Sequence, residues 1–210
     1  MDGLGQGVSK ILDKPTFVSK TLPDEQGLAV LTGQRKKVAF AHLASPSDLD
    51  TPSPSRIHPV CPHFDQCPGC HYLHTTYPME LQFKQEALCR ELQKLKIQTH
   101  TPEIHASCER FGYRNRLTLH YDKSQNSLVI FSSLAGEILP IPQCLLPIPE
   151  IQKIVTALYT TKSWQNFDGP NQGHLEIYQH PITGMQTSLN LPYAHLGFSQ
   201  VHESMNNKLT

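Results

Sequence analysis

The chain has no surplus of charge of either sign: 18 lysines and arginines balance 18 aspartates and glutamates. Without excess positive charge a protein does not hold a polyanion over its whole surface, so any nucleic-acid contact must come from local patches. Long hydrophobic runs are also missing. None approaches the ~18 apolar residues of a membrane span, and the start, MDGLGQGVSK, lacks the cationic stretch and apolar core of a secretion signal. The sequence therefore reads as that of a cytoplasmic protein with no membrane partner. Cysteine is sparse, at 6 in 210 residues. That is too few for a disulfide scaffold, and in a reducing compartment clustered cysteines point to metal instead. Charged residues make up only 17%, yet the 38% of hydrophobic residues exclude a disordered chain.

Proline is abundant, at 17 residues, which predicts short elements joined by stiff connections. Near the N-terminus, Thr16-Phe-Val18, Leu28-Ala-Val-Leu31 and Val38-Ala-Phe-Ala41 are short apolar runs punctuated by Gly, Pro or Asp. Such spacing predicts a small β-barrel. Arg35-Lys36-Lys37 falls between two of these strands, either as solvated loop charge or as a phosphate contact. Residues 44–59, rich in Ser and Pro, read as a linker. Residues 77–96 predict a helix whose Leu81, Leu88, Leu92 and Leu95 share one stripe. Gly112 to Tyr121 alternates, with Arg114, Arg116, Thr118 and His120 on one face of a strand. Leu128 to Phe131 continues it as a hairpin, and residues 150–159 predict a second helix. Residues 174–179 and 187–191 predict a further strand pair. The class expected is α+β, mostly β. The face carrying Arg114, Arg116 and His120 suits phosphate, or else is a basic solvent face or one ion-paired with a domain outside this chain.

The chemistry is concentrated in Cys61-Pro-His-Phe-Asp-Gln-Cys67-Pro-Gly-Cys70. Two thiolates separated by two residues can grip one centre, and Gly69 permits the turn between them. Three clustered cysteines leave one ligand to find. Structural zinc takes four N or S ligands, and His63, His71 or His74 could complete such a set. A 4Fe-4S cluster takes four thiolates, often with one remote. Cys144, on a loop bracketed by Pro140, Pro142, Pro147 and Pro149, is the remote candidate. Cys89 reads as core packing, and Cys108 is assigned nothing.

Ser53-Pro-Ser-Arg56, Pro59, the Cys61, Cys67, Cys70 spacing and His74 together resemble the RNA 5-methyluridine methyltransferase family. The resemblance is narrower still to its bacterial ribosomal RNA branch, which carries a TRAM domain and an iron–sulfur cluster. It continues through Tyr77, Leu81 and Lys84, then Gly112-Tyr-Arg-Asn-Arg116 and Cys144. Upstream, Gly5-Gln-Gly7-Val8, Phe17-Val18 and Leu22-Pro-Asp-Glu25 look like a TRAM barrel, and downstream Phe198-Ser-Gln200-Val201 looks like the opening of a methyltransferase domain. Pro68, Leu73, Asp24 and His202 depart from the family's usual residues.

The resemblance implies an OB-like TRAM barrel at 1–52 and an iron–sulfur RNA-binding domain at 53–197, with a helical segment at 78–97. It implies the start of a methyltransferase domain at 198–210; the 77–96 helix would pack on that catalytic domain, which leaves its leucine stripe exposed in this chain. Cys61, Cys67, Cys70 and Cys144 would hold the 4Fe-4S cluster, Gln200 would contact S-adenosylmethionine, and ribosomal RNA would be the partner. The family's reaction uses a Cys thiolate on carbon 6 of uracil, then methyl transfer to carbon 5. No cysteine follows Cys144 and no glycine-rich cofactor turn follows Gln200. The expectation is an inactive N-terminal portion: a truncated chain, an interrupted gene, or half of a split enzyme with a separate catalytic half. The rival reading is a zinc-stabilised, non-enzymatic RNA-binding module.

Overall fold

The computed structural model describes residues 1–11, 13–47, 49–97, 100–130, 139–191 and 200–208. It divides into two compact units, Met1–Ala106 and Ser107–Thr210. Both are mostly sheet with few helices, as an α+β, mostly β chain should be.

In the first unit, β1 (Gly7–Ile11), β2 (Lys14–Ser19), β4 (Ala29–Gln34) and β5 (Ala39–Leu43) form one sheet in the order β1-β2-β5-β4. β2 and β5 run parallel, with Thr16 opposite Ala39 and Val18 opposite Ala41. All four of those side chains are buried. β3 (Gln26–Gly27) and β6 (Leu49–Thr51) form a separate pair. Composition alone reads residues 44–59 as linker, but here they are tied down. β6 pairs, Arg56 bridges Thr75, and the Ser53 amide donates to Glu25 Oε1 at 3.2 Å. A carboxylate 28 residues away supplies the acceptor, which local composition does not reveal.

Helix α1 spans Tyr77–Lys94, with Pro78 in its first turn, where the missing amide proton costs nothing. Its buried residues are Phe83 and Ala87. Phe83 joins Leu22 and Tyr72 in a small core, with Met1 and Met79 against it. The leucine stripe turns the other way: Leu88 is 48% and Leu95 69% exposed. At 100° per residue the leucines lie on the side opposite Phe83, so the stripe is real and lies on a face this unit leaves exposed, as the resemblance implies.

In the second unit, β7 (Arg116–Asp122), β8 (Ser127–Val129), β9 (Gln172–His180) and β10 (Gly184–Leu189) form an antiparallel sheet in the order β10-β9-β7-β8. Helix α2 (Pro149–Thr161) contributes Ile151, Val155 and Leu158 at helical spacing. They share the core with Leu117, Leu119, Leu175, Ile177 and Trp164. Tyr159 Oη donates to the Leu128 carbonyl at 2.6 Å and accepts the Ile141 amide at 3.0 Å, which anchors helix to sheet.

The alternation read from Gly112 onward becomes ladder only at Arg116. Gly112 takes φ +62, and the segment after it pairs elsewhere. Arg114 bridges Pro147 and His202, and the Gly112 amide donates to the Leu145 carbonyl at 2.9 Å. The loop that follows Cys144 is thereby fixed to the start of the strand. A short helix, α3 (Glu203–Asn206), follows. Of the expected hairpin, Phe131 lies outside the described residues.

Candidate functional site

The cysteine loop is built in the first unit. The Phe64 amide donates to the Cys61 carbonyl at 3.1 Å, and the Cys67 amide to the His63 carbonyl at 2.8 Å. These turns curl residues 61–67, and the Gly69 amide donates to Cys67 Sγ at 3.4 Å. An N–H aimed at a sulfur favours its thiolate form. Lys20, just past β2, reaches into the loop. Its ammonium donates to the carbonyls of Phe64 and of Cys67 (2.9 Å to the latter) and lies 4.6 Å from the Phe64 ring centroid.

The thiols of Cys67, Cys70 and Cys61 all lie near enough to Lys20 to act on its charge. Burial lowers the Lys20 pKa, and those thiolates together with Asp65 push back. At Cys67 burial raises the thiol pKa, against the Gly69 amide and Lys20, which favour the thiolate. This donor chemistry fits a thiolate-ligated centre: soft sulfur, one N–H···S contact and one compensating cation. Among the described residues no three His, Cys, Asp or Glu side chains are grouped closely enough to hold an ion. No disulfide joins any of the described cysteines. Cys144 belongs to the second unit, half-buried on the loop that pairs with Gly112 to Arg114.

A buried ion pair supports the loop from below. Glu25 Oε1 accepts Arg56 Nε at 2.5 Å, and Glu25 Oε2 accepts Arg56 Nη2 at 2.6 Å and the Leu22 amide at 2.8 Å. Arg56 Nη2 also donates to the Lys20 carbonyl at 3.0 Å. Burial pushes the Glu25 pKa up, but Arg56 and the Leu22 and Ser53 amides bring it below the ordinary carboxylate value. His74, fully buried, stacks on Phe64 with ring centroids 5.3 Å apart. Burial, then the Arg56 charge, lowers its pKa to about 4, so it is neutral at pH 7. Sequence reasoning kept His74 as one candidate zinc ligand, took Glu25 only as part of the barrel motif, and missed Lys20. A lone Lys carries no local signal.

The expected RNA contacts occupy different environments. Arg35, Lys36 and Lys37 are exposed on the connection between β4 and β5. The Arg35 guanidinium lies 5.8 Å from the Phe40 ring centroid, and Phe40 stacks on Phe17 at 5.8 Å. On β7, Arg116 lies 3.6 Å from the buried carboxylate of Glu176 and 5.2 Å from the Tyr178 ring centroid. The ion partner thus lies on the neighbouring strand of the same sheet, whereas the sequence reading places it in a domain outside this chain. His120 is exposed, across from His174, and burial followed by that neighbour lowers its pKa. Arg114 is half-buried, its backbone used by the two bridges.

Gln200 is half-buried beside Val201, whose carbonyl accepts the Asn115 amide at 3.0 Å. Phe198 and Ser199, on which the methyltransferase opening also rests, lie outside the described residues. His202 stacks on Tyr113 with centroids 4.3 Å apart, and its Nε2 is 2.9 Å from Ser107 Oγ. No helix among the described residues is long and apolar enough to cross a membrane.

No protein-family profile matches the chain. Curated relatives do. The 23S rRNA (uracil(1939)-C(5))-methyltransferase RlmD of Klebsiella pneumoniae is 33% identical over 213 aligned residues, covering 96% of this chain and 47% of the relative. The protein of the same name from Shewanella baltica is 32% identical over 182, covering 84% of this chain and 40% of the relative. That from Vibrio parahaemolyticus is 28% identical over 182, with the same coverage of 84% and 40%. The chain thus spans less than half the length of these relatives, yet most of it aligns with all three. Along that length, the chain belongs to the RNA 5-methyluridine methyltransferase family, in its 23S ribosomal RNA branch.

Proposed function

We propose that this chain is the RNA-binding, 4Fe-4S-bearing part of an S-adenosylmethionine-dependent 23S ribosomal RNA uracil-5-methyltransferase. One observation carries the reading: in a chain related to such enzymes, three thiols on one loop share a lysine charge and one receives an amide N–H. Cys61, Cys67, Cys70 and Cys144 would hold the cluster. Bound there, its role would be structural, since part of the free energy of metal binding is folding free energy. Residues 1–52 would be the TRAM barrel, 53–197 the central domain and 198–210 the opening of the catalytic domain.

The residues of this chain would do the binding and holding. Arg35, Lys36 and Lys37, exposed together, offer three charges to RNA phosphates. Arg114 and His120 are weaker candidates on the second sheet, and Arg116 already faces Glu176. Gln200 would contact S-adenosylmethionine. The attacking thiolate and the methyl transfer would lie outside these 210 residues.

Anaerobic purification with iron, sulfide and zinc analysis tests the reading. Broad absorbance near ~400 nm with about four irons per chain is the result expected of a 4Fe-4S protein. One tightly held zinc and no iron would move the chain to the zinc-stabilised RNA-binding module. Incubated with S-adenosylmethionine and ribosomal RNA, the purified chain should transfer no methyl group; transfer would overturn the division of labour.

A further inference from the structure

We propose that Lys20 is a positioning residue for the cysteine loop, strapping the Phe64 and Cys67 carbonyls and setting one positive charge within the loop. As far as it concerns a cluster, this rests on the function proposed above; as far as it concerns the loop, it stands alone. An ammonium has three donors and no acceptor. Here it donates to two carbonyls three residues apart, one of them on a cysteine, and faces the ring between them. A lysine is not drawn into a half-buried site by hydrophobicity, since its charge loses water there. What meets it is two carbonyl oxygens and the Phe64 ring, and such charge-assisted hydrogen bonds are about twice as strong as neutral ones.

The backbone that carries Lys20 is itself held. Lys20 takes φ +58, a left-handed conformation that turns the chain sharply after β2. Its carbonyl accepts Arg56 Nη2 at 3.0 Å, and Arg56 is clamped by Glu25. Glu25, Arg56, Lys20 and the loop therefore form one continuous polar chain in the first unit. Its effect is to hold the loop's shape before any metal arrives and to offset the negative charge of the thiolates that metal binding requires.

The test compares the full chain with Lys20→Met, which keeps the stem and removes charge and donors, and with Lys20→Gln, which keeps a neutral donor. In the metal-free chain, amide exchange over residues 61–70 should quicken about tenfold in Lys20→Met, with exchange over residues 107–210 unchanged. In the iron-loaded chain, a chelator should extract iron about 10–100-fold faster, the range for loss of an outer-shell partner. Should Lys20→Met fail to fold, Lys20→Gln should still quicken loop exchange by a smaller factor. Loop exchange at the unsubstituted rate in the folded variant overturns the proposal, whatever the iron content. Should the unsubstituted chain take up no iron, the cluster reading falls, while loop exchange still decides the role of Lys20.

Discussion

Arg56→Met is the substitution whose outcome follows most directly from the geometry. The Glu25 side chain is 2% exposed and that of Arg56 12%, and they meet through two short, parallel hydrogen bonds of 2.5 and 2.6 Å. Removing the arginine leaves a buried carboxylate held only by the Leu22 and Ser53 amides, and it also strips a donor from the Lys20 carbonyl. Breaking a buried pair from one side costs about 3–5 kcal/mol, far above the ~0–1 kcal/mol of an exposed pair. For a unit of this size the lower figure corresponds to a fall in Tm of at least ~12 °C. Thermal unfolding at pH 7 measures it.

Glu25→Gln should cost a similar amount, because Arg56 then becomes the unpaired charge. The double variant should cost less than the sum of the two singles, since their shared interaction is lost only once. Loss of less than ~1 kcal/mol in Arg56→Met would refute the reasoning, because it would place this pair with exposed ones. The pH dependence has a fixed sign. The folded pKa of Glu25 is depressed, so its stabilisation is present above the ordinary value of 4.5 and is lost as pH falls through the folded one. That acid limb should vanish in Glu25→Gln.

Three further outcomes are expected. His74, at about 4 against 6.5 unfolded, contributes stability that is present above pH 6.5 and lost as pH falls towards 4; the loss is up to about 3 kcal/mol, and His74→Leu should flatten it in urea titrations across that range. Gly173→Ala would place a Cβ 2.1 Å from Asn190 Oδ1 and 2.6 Å from Tyr121 Oη, so overpacking should cost about 1–3 kcal/mol, and an unchanged Tm would show that the sheet gives way there. Arg116→Met should destabilise the second unit by removing the cation beside buried Glu176 while leaving RNA affinity nearly unchanged, whereas replacing Arg35, Lys36 and Lys37 with Gln should weaken RNA binding and flatten its salt dependence by about 0.7 per lost phosphate contact; the reverse pattern in filter binding would move the RNA surface to β7.

Elements whose signal is local were legible in the chain before any folding. Proline in the first turn and helical spacing located α1 and α2, and alternation located the buried Leu117, Leu119 and Tyr121 of β7. The cysteine spacing singled out the loop that Lys20 straps, and ordered motifs pointed to the family that the relatives bear out. Only the tertiary structure decided which face each element buries and who partners whom. Leucine periodicity cannot say that Phe83, not Leu88, faces the core, because a helix has no partner until other segments pack on it. Nor could alternation say that Arg116 points at Glu176, a residue 60 positions away brought alongside by the β7–β9 register. Lys20 is silent in the sequence, and so is the pairing of Glu25 with Arg56, for the same reason. A buried charge has its role only through the donors and acceptors that folding places round it, and here those come from segments about 28 to 47 residues away.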